Sequence, residues 1–435
     1  MTARQLAVQA LLAVETQGGY SNLVLAGALN KGKLSKQDGA FASVLFYGVL
    51  ERKITLDFVI CHYTKKPIKK LTPAVVQILR TAFYQLLYMD KVPSSAVVNE
   101  SVGLTRQFKC TSASGFVNGV LRSFLRDGGK LPPVKGNETK KLSIEYSCPE
   151  WLVKQLVDDY GKQAAIGTME AFLGRPVLYA RVNTLKITPD ELCSKLEAAG
   201  IGCVKDEKLD GCVALTGTGS IENIEAFEQG LFHIQDKSCQ MAASLLGPQK
   251  GERVLDACSA PGSKSFTMAQ LMENCGEIIS CDVHEHKIGL IADGAKRLGV
   301  SIIKPMLNDG TVYNESLGQF DRVLCDVPCS GLGVMGKKPE IRYKAPEDIK
   351  DLAQLQYKIL ENSSKYCKPG GVVMYSTCTL AKDENLAVAQ RFLQEHPDFE
   401  PLENKLHKSG WHTTLLPQDE QTDGFFFATM RKKEG

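Results

Sequence analysis

Val254-Leu-Asp-Ala-Cys-Ser-Ala-Pro-Gly-Ser-Lys264 decides the fold. Val254 and Leu255 end an apolar run, which predicts a buried parallel strand. Asp256 falls where that strand stops. Pro261 and Gly262 force a turn, and Ser265-Phe-Thr-Met-Ala-Gln-Leu-Met272 continues as a helix. Strand, tight turn and helix form the ligand-binding corner of a doubly wound sheet, where ligands lie beyond the carboxyl ends of the strands. The dinucleotide fingerprint G-x-G-x-x-G is absent. One glycine, a proline and a strand-end acid suit a ligand without a pyrophosphate.

Downstream the pattern repeats. Glu277-Ile-Ile-Ser-Cys-Asp282 predicts a second strand ending in an acid, and Asp282 lies 20 residues beyond Gly262. That is the spacing of a ribose-binding carboxylate in doubly wound folds; a helix N-cap is the other role open to it. Ser301 to Asp309 predicts a third strand and its loop. Asp309 is placed either to meet an adenine amino group or to form the turn Asn308-Asp309-Gly310. Phe320 to Asp326 predicts a fourth strand, followed by Val327-Pro-Cys329-Ser-Gly331. Gly370 to Thr379 predicts a fifth, with Cys378 at its end. Helices are expected at Asp351–Tyr366 and Asp383–Gln394, and an apolar terminal strand at Gly424–Arg431 in the antiparallel edge pair that closes the sheet.

Upstream the chain changes character. Thr2-Ala-Arg-Gln5 matches a capping box. Amphipathic stretches follow at Asp38–Cys61, Pro73–Met89, Ser94–Arg106 and Ser112–Leu125, without strand alternation. Residues 1–135 carry 18 Lys and Arg against 7 Asp and Glu, a net +11; the remainder carries 34 against 42, a net −8. A basic front on a chain of net charge +3 suits a polyanionic partner, or else is a solvated surface with none. Lys65, Lys66, Lys69 and Lys70 fall in a loop where they can meet phosphates, and Arg4, Arg106, Lys109, Arg122 and Arg126 add to the potential. Pro, Gly and charge make 131–145 a linker. Residues 146–235 read as a small α+β module, with a helical start, a strand at Val177–Asn183 and a helix at Thr188–Ala199. Arg181 and Asn183 suit phosphate or base contacts, or a strand-end structural role.

With 43% hydrophobic and 23% charged residues the chain is of ordinary globular composition. No apolar run approaches the ~20 residues of a membrane span, and the start lacks a signal-peptide pattern. The 14 cysteines include no C-x-x-C pair and are expected to be reduced, so a cytoplasmic protein without disulfides or zinc is expected. Most should be inert packing. Cys329 and Cys378, both just past carboxyl ends of strands beside the ligand corner, are harder to assign that way.

A thiol there has a chemical use. C5 of cytosine is too weak a nucleophile to accept a methyl group directly from S-adenosylmethionine (SAM), a donor that suits the loop. Thiolate addition to C6 makes C5 enamine-like, and the thiol leaves once the C5 proton is lost. Asp326 can hydrogen-bond N3 of the base and stabilise the protonated adduct. The thiol's pKa is expected to be lowered by Lys264 or by a sulfonium. An amino-group methyltransferase needs no thiol and typically carries an aromatic after the proline, where this chain has Cys329.

Asp256-Ala-Cys-Ser-Ala-Pro-Gly-Ser-Lys264, Asp326-Val-Pro-Cys-Ser-Gly331 and Ser376-Thr-Cys-Thr379 together resemble the RNA cytosine-5 methyltransferase family. Val92–Glu100 and Gly115–Arg122 resemble the NusB family of small helical RNA-binding proteins, over about residues 1–130. The combination is similar to the bacterial 16S rRNA cytosine-5 methyltransferases of the RsmB (Sun/Fmu) type. The resemblance implies an α/β, Rossmann-like SAM-dependent methyltransferase domain at 236–435, after an all-α NusB-like domain at 1–130, a linker at 131–145 and a small α+β RNA-seating module at 146–235. It implies SAM contacts from Cys258, Ser259, Ala260, Pro261, Gly262, Ser263 and Lys264, and from Asp282, Asp309 and Asp326. It implies that Cys378 is the nucleophile and that Cys329 assists release; the residues alone do not rank the two. Its implied partner is 16S rRNA, without a membrane, and nothing requires more than a monomer. Ser263 stands where the family more often has glycine, and Lys337 and Lys338 where it often has two arginines, which keeps charge for RNA but loses bidentate geometry. A tRNA substrate, or a non-enzymatic RNA-binding assembly factor, are the competing readings.

Overall fold

The computed structural model describes residues 1–17, 21–403 and 410–434. It forms two compact units: Met1–Leu173 with Lys337–Lys344, and Gly174–Gly336 with Ala345–Gly435.

The first unit is all-helical among its described residues. Thr2 Oγ1 accepts from the Gln5 N–H and opens the helix Ala3–Gln17. The single stretch predicted at 38–61 is two helices, Lys36–Glu51 and Lys53–Thr64, which part at Arg52. Pro73–Tyr88, Ser94–Gln107 and Ser114–Arg126 follow as expected. Ser21–Gly32 is a further helix, which short, small-residue patterning hid. Phe46, Phe83 and Phe124 are fully buried, and the last two meet edge to face at 5.1 Å. Burying each ring is worth about 1.5–3 kcal/mol. Arg80 is buried too, with Nε 2.6 Å from Asp57 and NH1 3.2 Å from Glu15. Lys65, Lys66, Lys69 and Lys70 are exposed around a short turn of 3-10 helix, as the loop reading expected.

The predicted linker is partly helix. Asn137 Oδ1 accepts from the Lys140 N–H and caps Glu138–Tyr146, whose Leu142 and Ile144 are buried. Pro132, Pro133 and Gly136 dominate the composition of this stretch, but they all precede the cap. Two more helices, Glu150–Tyr160 and Lys162–Ala171, part at Gly161 and belong to the same unit.

Residues 337–344, expected to touch RNA, fold with this unit. Glu340 accepts from Ser21 Oγ (2.9 Å), and Tyr343 Oη donates to Leu50 O (2.5 Å). Arg342, 2% exposed, donates to Glu51 O (2.9 Å) and Phe172 O (3.2 Å). Arg342→Ala strands two buried carbonyls, so we expect the first unit to lose about 2–3 kcal/mol of stability, read as a lower unfolding midpoint.

The second unit begins with an antiparallel sheet of order β2-β3-β1-β4, formed by β1 (Leu178–Val182), β2 (Gly202–Lys205), β3 (Cys212–Thr216) and β4 (Phe232–Ile234). Thr188 and Glu191 close a capping box on the helix Pro189–Ala198. Arg181 and Asn183 are buried. Arg181 donates to Asp210 O and Gln270, and Asn183 to Gly230 O and Leu298 O, so both are structural rather than nucleic-acid contacts. Cys193 and Cys203 form a disulfide, with Cα atoms 5.1 Å apart, against the expectation of reduced thiols. A helix-to-strand pairing across ten residues leaves no motif in the sequence. The other twelve cysteines are free.

The large sheet has β5 (Arg253–Asp256), β6 (Glu277–Asp282), β7 (Ile303–Leu307), β8 (Phe320–Asp326), β9 (Cys367–Thr377), β10 (Phe399–Pro401), β11 (His412–Leu415) and β12 (Phe425–Lys432). Its order is β10-β12-β9-β8-β5-β6-β7, with β11 also on β12. Strands β5 to β9 are parallel, and β12 runs antiparallel to its neighbours. Both faces of the parallel strands are apolar, as buried parallel sheets require. Leu255, Val323 and Tyr375 pack with Tyr357, Leu360 and Phe392. Val254, Leu324 and Met374 pack with Leu246, Met268 and Ile291. The terminal strand, expected in an antiparallel edge pair, lies between β9 and the three-residue edge strand β10, which is too short to signal itself in sequence. No helix of the described residues is long and apolar enough to cross a membrane.

Candidate active site

The order reverses between β5 and β8, which opens a crevice at their carboxyl ends. A cavity of about 490 Å³ lies there, lined by Cys258, Ala260, Asp282, Asp309, Asp326, Cys329 and Cys378 among others. The corner loop enters it only in part. Ser259 N–H donates to Cys281 O (2.7 Å), and Gly262 N–H to Ser259 O (2.7 Å). Pro261 and Gly262 make the turn, with Gly262 at φ +103°, and Ser263 begins the helix Ser263–Leu271. A Cβ on Gly262 would sit 2.6 Å from the Phe266 ring, so glycine is required twice over. Asp256 is buried away from the cavity. Its Oδ2 accepts from Ser265 Oγ (2.7 Å), and burial pushes its pKa up to about 7.

Asp282 is not the helix N-cap: that position is His284. Asp282 Oδ1 accepts from the His284 N–H (2.9 Å) and lies 3.6 Å from Lys287 Nζ, at the cavity wall. Asp309 forms the turn and also lines the cavity. It accepts from the Thr311 N–H and Oγ1, bonds that hold its pKa below the usual range.

Lys264 Nζ is 2.6 Å from Asp326 Oδ2 and 3.3 Å from Cys239 Sγ. Burial opposes its charge, but Asp326 and Cys239 outweigh that and raise its pKa. Ser376 Oγ donates to the other Asp326 oxygen (2.9 Å). Cys329 Sγ and Cys378 Sγ are 3.3 Å apart. The pKa of Cys378 lies well above the ordinary thiol value, where the sequence predicts a lowered one. The bond to Cys329, then burial and the charges on Cys329 and Asp326, all push it up; Lys264 pulls it down. Burial also raises Cys258, Cys281, Cys325 and Cys239, as inert packing thiols require.

Sequence reasoning missed Ser376, Cys239 and the apolar wall of Leu355 and Ile359. The i,i+4 spacing of the last two on the helix Leu352–Ser364 was the available signal.

Three regions match known families: residues 243–431 the family described as 16S rRNA methyltransferase RsmB/F, 1–126 the NusB family, and 148–222 a ferredoxin-like domain of RsmF/B-like methyltransferases. A Bacillus subtilis protein named "Probable ribosomal RNA small subunit methyltransferase B" is 39% identical over 99% of both chains. The chain belongs to the RsmB/F family of 16S rRNA methyltransferases. A solved structure titled PH0851 superposes with a TM-score of 0.85 at 26% identity, covering 99% of both chains. A methyltransferase homolog from Pyrococcus horikoshii gives 0.61 at 29% identity, covering 68% of this chain and all of that one.

RsmB/F membership makes SAM the cofactor. The residues fit it: the carboxylates of Asp282, Asp309 and Asp326 line the cavity against the ammonium of Lys287 and that of Lys264, which is paired with Asp326, so the balance stays negative and suits a cation rather than a phosphate. Because the pKa of Cys378 is raised, little of it is thiolate at neutral pH. Its alkylation by iodoacetamide should therefore rise roughly tenfold per pH unit between about 7 and 9. Peptide mapping reads this, and a plateau reached near neutrality would contradict the raised value.

Proposed function

We propose that the protein methylates C5 of a cytidine in 16S rRNA through a covalent adduct between Cys378 and C6. The observation that carries this is the pair of thiols 3.3 Å apart in the carboxylate-lined cavity. Cys378 adds to C6. Asp326, oriented by Lys264 and Ser376, accepts from the protonated N3 and stabilises the adduct. Bound SAM supplies an electrophilic methyl group, which C5 takes up. Cys329, as thiolate, then takes the C5 proton, C5=C6 re-forms, and Cys378 leaves as thiolate. Asp282, with one oxygen on the His284 N–H, would accept from the donor's ribose hydroxyls, and Asp309 would meet its adenine amino group. Of the loop residues, Cys258 and Ala260 would face the donor, while Ser259, Pro261, Gly262 and Ser263 shape the turn beneath it.

The exposed lysines at 65–70 support reading 1–130 as an RNA-binding domain; of the expected module 146–235, the part in the second unit, 174–235, would seat the RNA, and 236–435, apart from 337–344, would carry out the chemistry. The substrate class follows from the family description.

The test is methyl transfer from labelled SAM to unmodified small-subunit rRNA, with nucleoside analysis. We expect 5-methylcytidine. N4-methylcytidine would remove the thiol chemistry, and transfer to tRNA alone would change the substrate. Cys378→Ala should cut turnover about 1,000-fold or more while SAM still binds. In contrast, Asp282→Ala should weaken SAM binding by about 10- to 100-fold, the loss of a hydrogen bond to a charged group, measured by calorimetry.

A further inference from the structure

The turn that carries Cys329 is held from behind by groups that do not line the cavity. Ser330 N–H donates to Glu384 Oε2 (2.9 Å). Gln356 Nε2 donates to the same oxygen (2.8 Å) and to Pro328 O (3.0 Å). The peptide is thus gripped on both sides of Cys329. Tyr375 Oη donates its one proton to Glu384 O and lies 3.3 Å from Gln356 Oε1. On the other flank Ser330 Oγ meets Thr379 Oγ1 (2.6 Å), the residue after Cys378.

Glu384 is 3% exposed, and its Oε1 has no hydrogen-bond partner. No cation among the described residues pairs with it. A buried carboxyl group without a counter-charge is costly. A neutral amide could accept from the Ser330 N–H at lower cost.

We propose that Glu384 is the positioning residue of Cys329: its carboxylate, with Gln356, fixes the Pro328–Ser330 turn so that the Cys329 thiol faces Cys378. The proposal rests on the reading above in which Cys329 releases the adduct. The consequence is kinetic. Addition and methyl transfer depend on Cys378 and should proceed without the clamp, whereas release depends on where Cys329 sits.

The experiment uses the full chain with SAM and unmodified small-subunit rRNA, and compares Glu384→Ala, Glu384→Gln and Cys329→Ala. Denaturing gels read the covalent protein–RNA adduct, and single-turnover assays read methyl transfer. Glu384→Ala should accumulate adduct and lose about tenfold or more in turnover, with first-turnover transfer within about threefold of wild type. Glu384→Gln, which keeps an acceptor oxygen and the shape, should restore turnover in large part, and it carries the test if the alanine variant does not fold. A parallel loss of transfer and turnover without adduct would overturn the proposal, as would wild-type behaviour of Glu384→Ala while Cys329→Ala traps adduct. If Cys329→Ala itself traps none, the release reading fails. The clamp is then decided by alkylation: Glu384→Ala shifts the ratio of Cys329 to Cys378 labelling if Glu384 positions the thiol, and an unchanged ratio overturns it.

Discussion

The ammonium of Lys264, 2.6 Å from the carboxylate of Asp326, ties together the parts of the catalytic sheet that carry chemistry. Removing one member of a largely buried pair leaves the other uncompensated, at about 3–5 kcal/mol. The pair therefore fixes more than itself. Lys264 is the second residue of the helix after the corner turn, and Asp326 ends β8, so the turn is held against the neighbouring strand. Ser376 takes the second oxygen of Asp326 from near the end of β9, and Cys378 follows two residues later. Three chain segments are thus registered at one carboxylate. The left-handed backbone of Gly262 completes the arrangement, because it lets the helix begin where Lys264 can reach across.

What the sequence made legible follows from how local the cause is. Apolar runs ending in acids at Asp256, Asp282 and Asp326 mark buried parallel strands, because both faces of such strands are covered and only the ends see solvent. The helix at 189–198 was readable from Thr188-Pro189-Asp190, since a helix start is set within a few neighbouring residues. The glutamate behind Cys329 was not readable in the same way. Glu384 lies 54 residues from Ser330, and nothing in a local window distinguishes it from a solvated helix-start acid. Arg181 and Asn183 stayed open between two roles for a related reason, and the structure selects the structural one. A cation and an amide at a strand end suit phosphate as well as they suit buried carbonyls, and only tertiary placement decides between them.

The same ambiguity governs the basic segment near 340. Lys337 and Lys338 read as nucleic-acid contacts because the resemblance places two arginines there and the lysines keep their charge. Yet the neighbouring Arg342 and Tyr343 spend their donors on carbonyls of the helical unit. Charge counting marked residues 1–135 as basic, but it could not separate cations that face solvent, such as Lys69 and Lys70, from those that hold the fold, such as Arg80.

The direction of the Cys378 shift constrains the chemistry most. Two cations were expected to favour its thiolate, Lys264 and the sulfonium of the donor. Lys264 is already committed: its charge is matched by Asp326 at contact distance, so at the thiol the two fields largely cancel. What remains, the bond to the second thiol and burial, opposes ionisation. Of the two expected sources of positive charge, only a cationic ligand in the cavity remains uncommitted. Ionisation of the proposed nucleophile is therefore tied to what fills the cavity rather than to the protein's own cations.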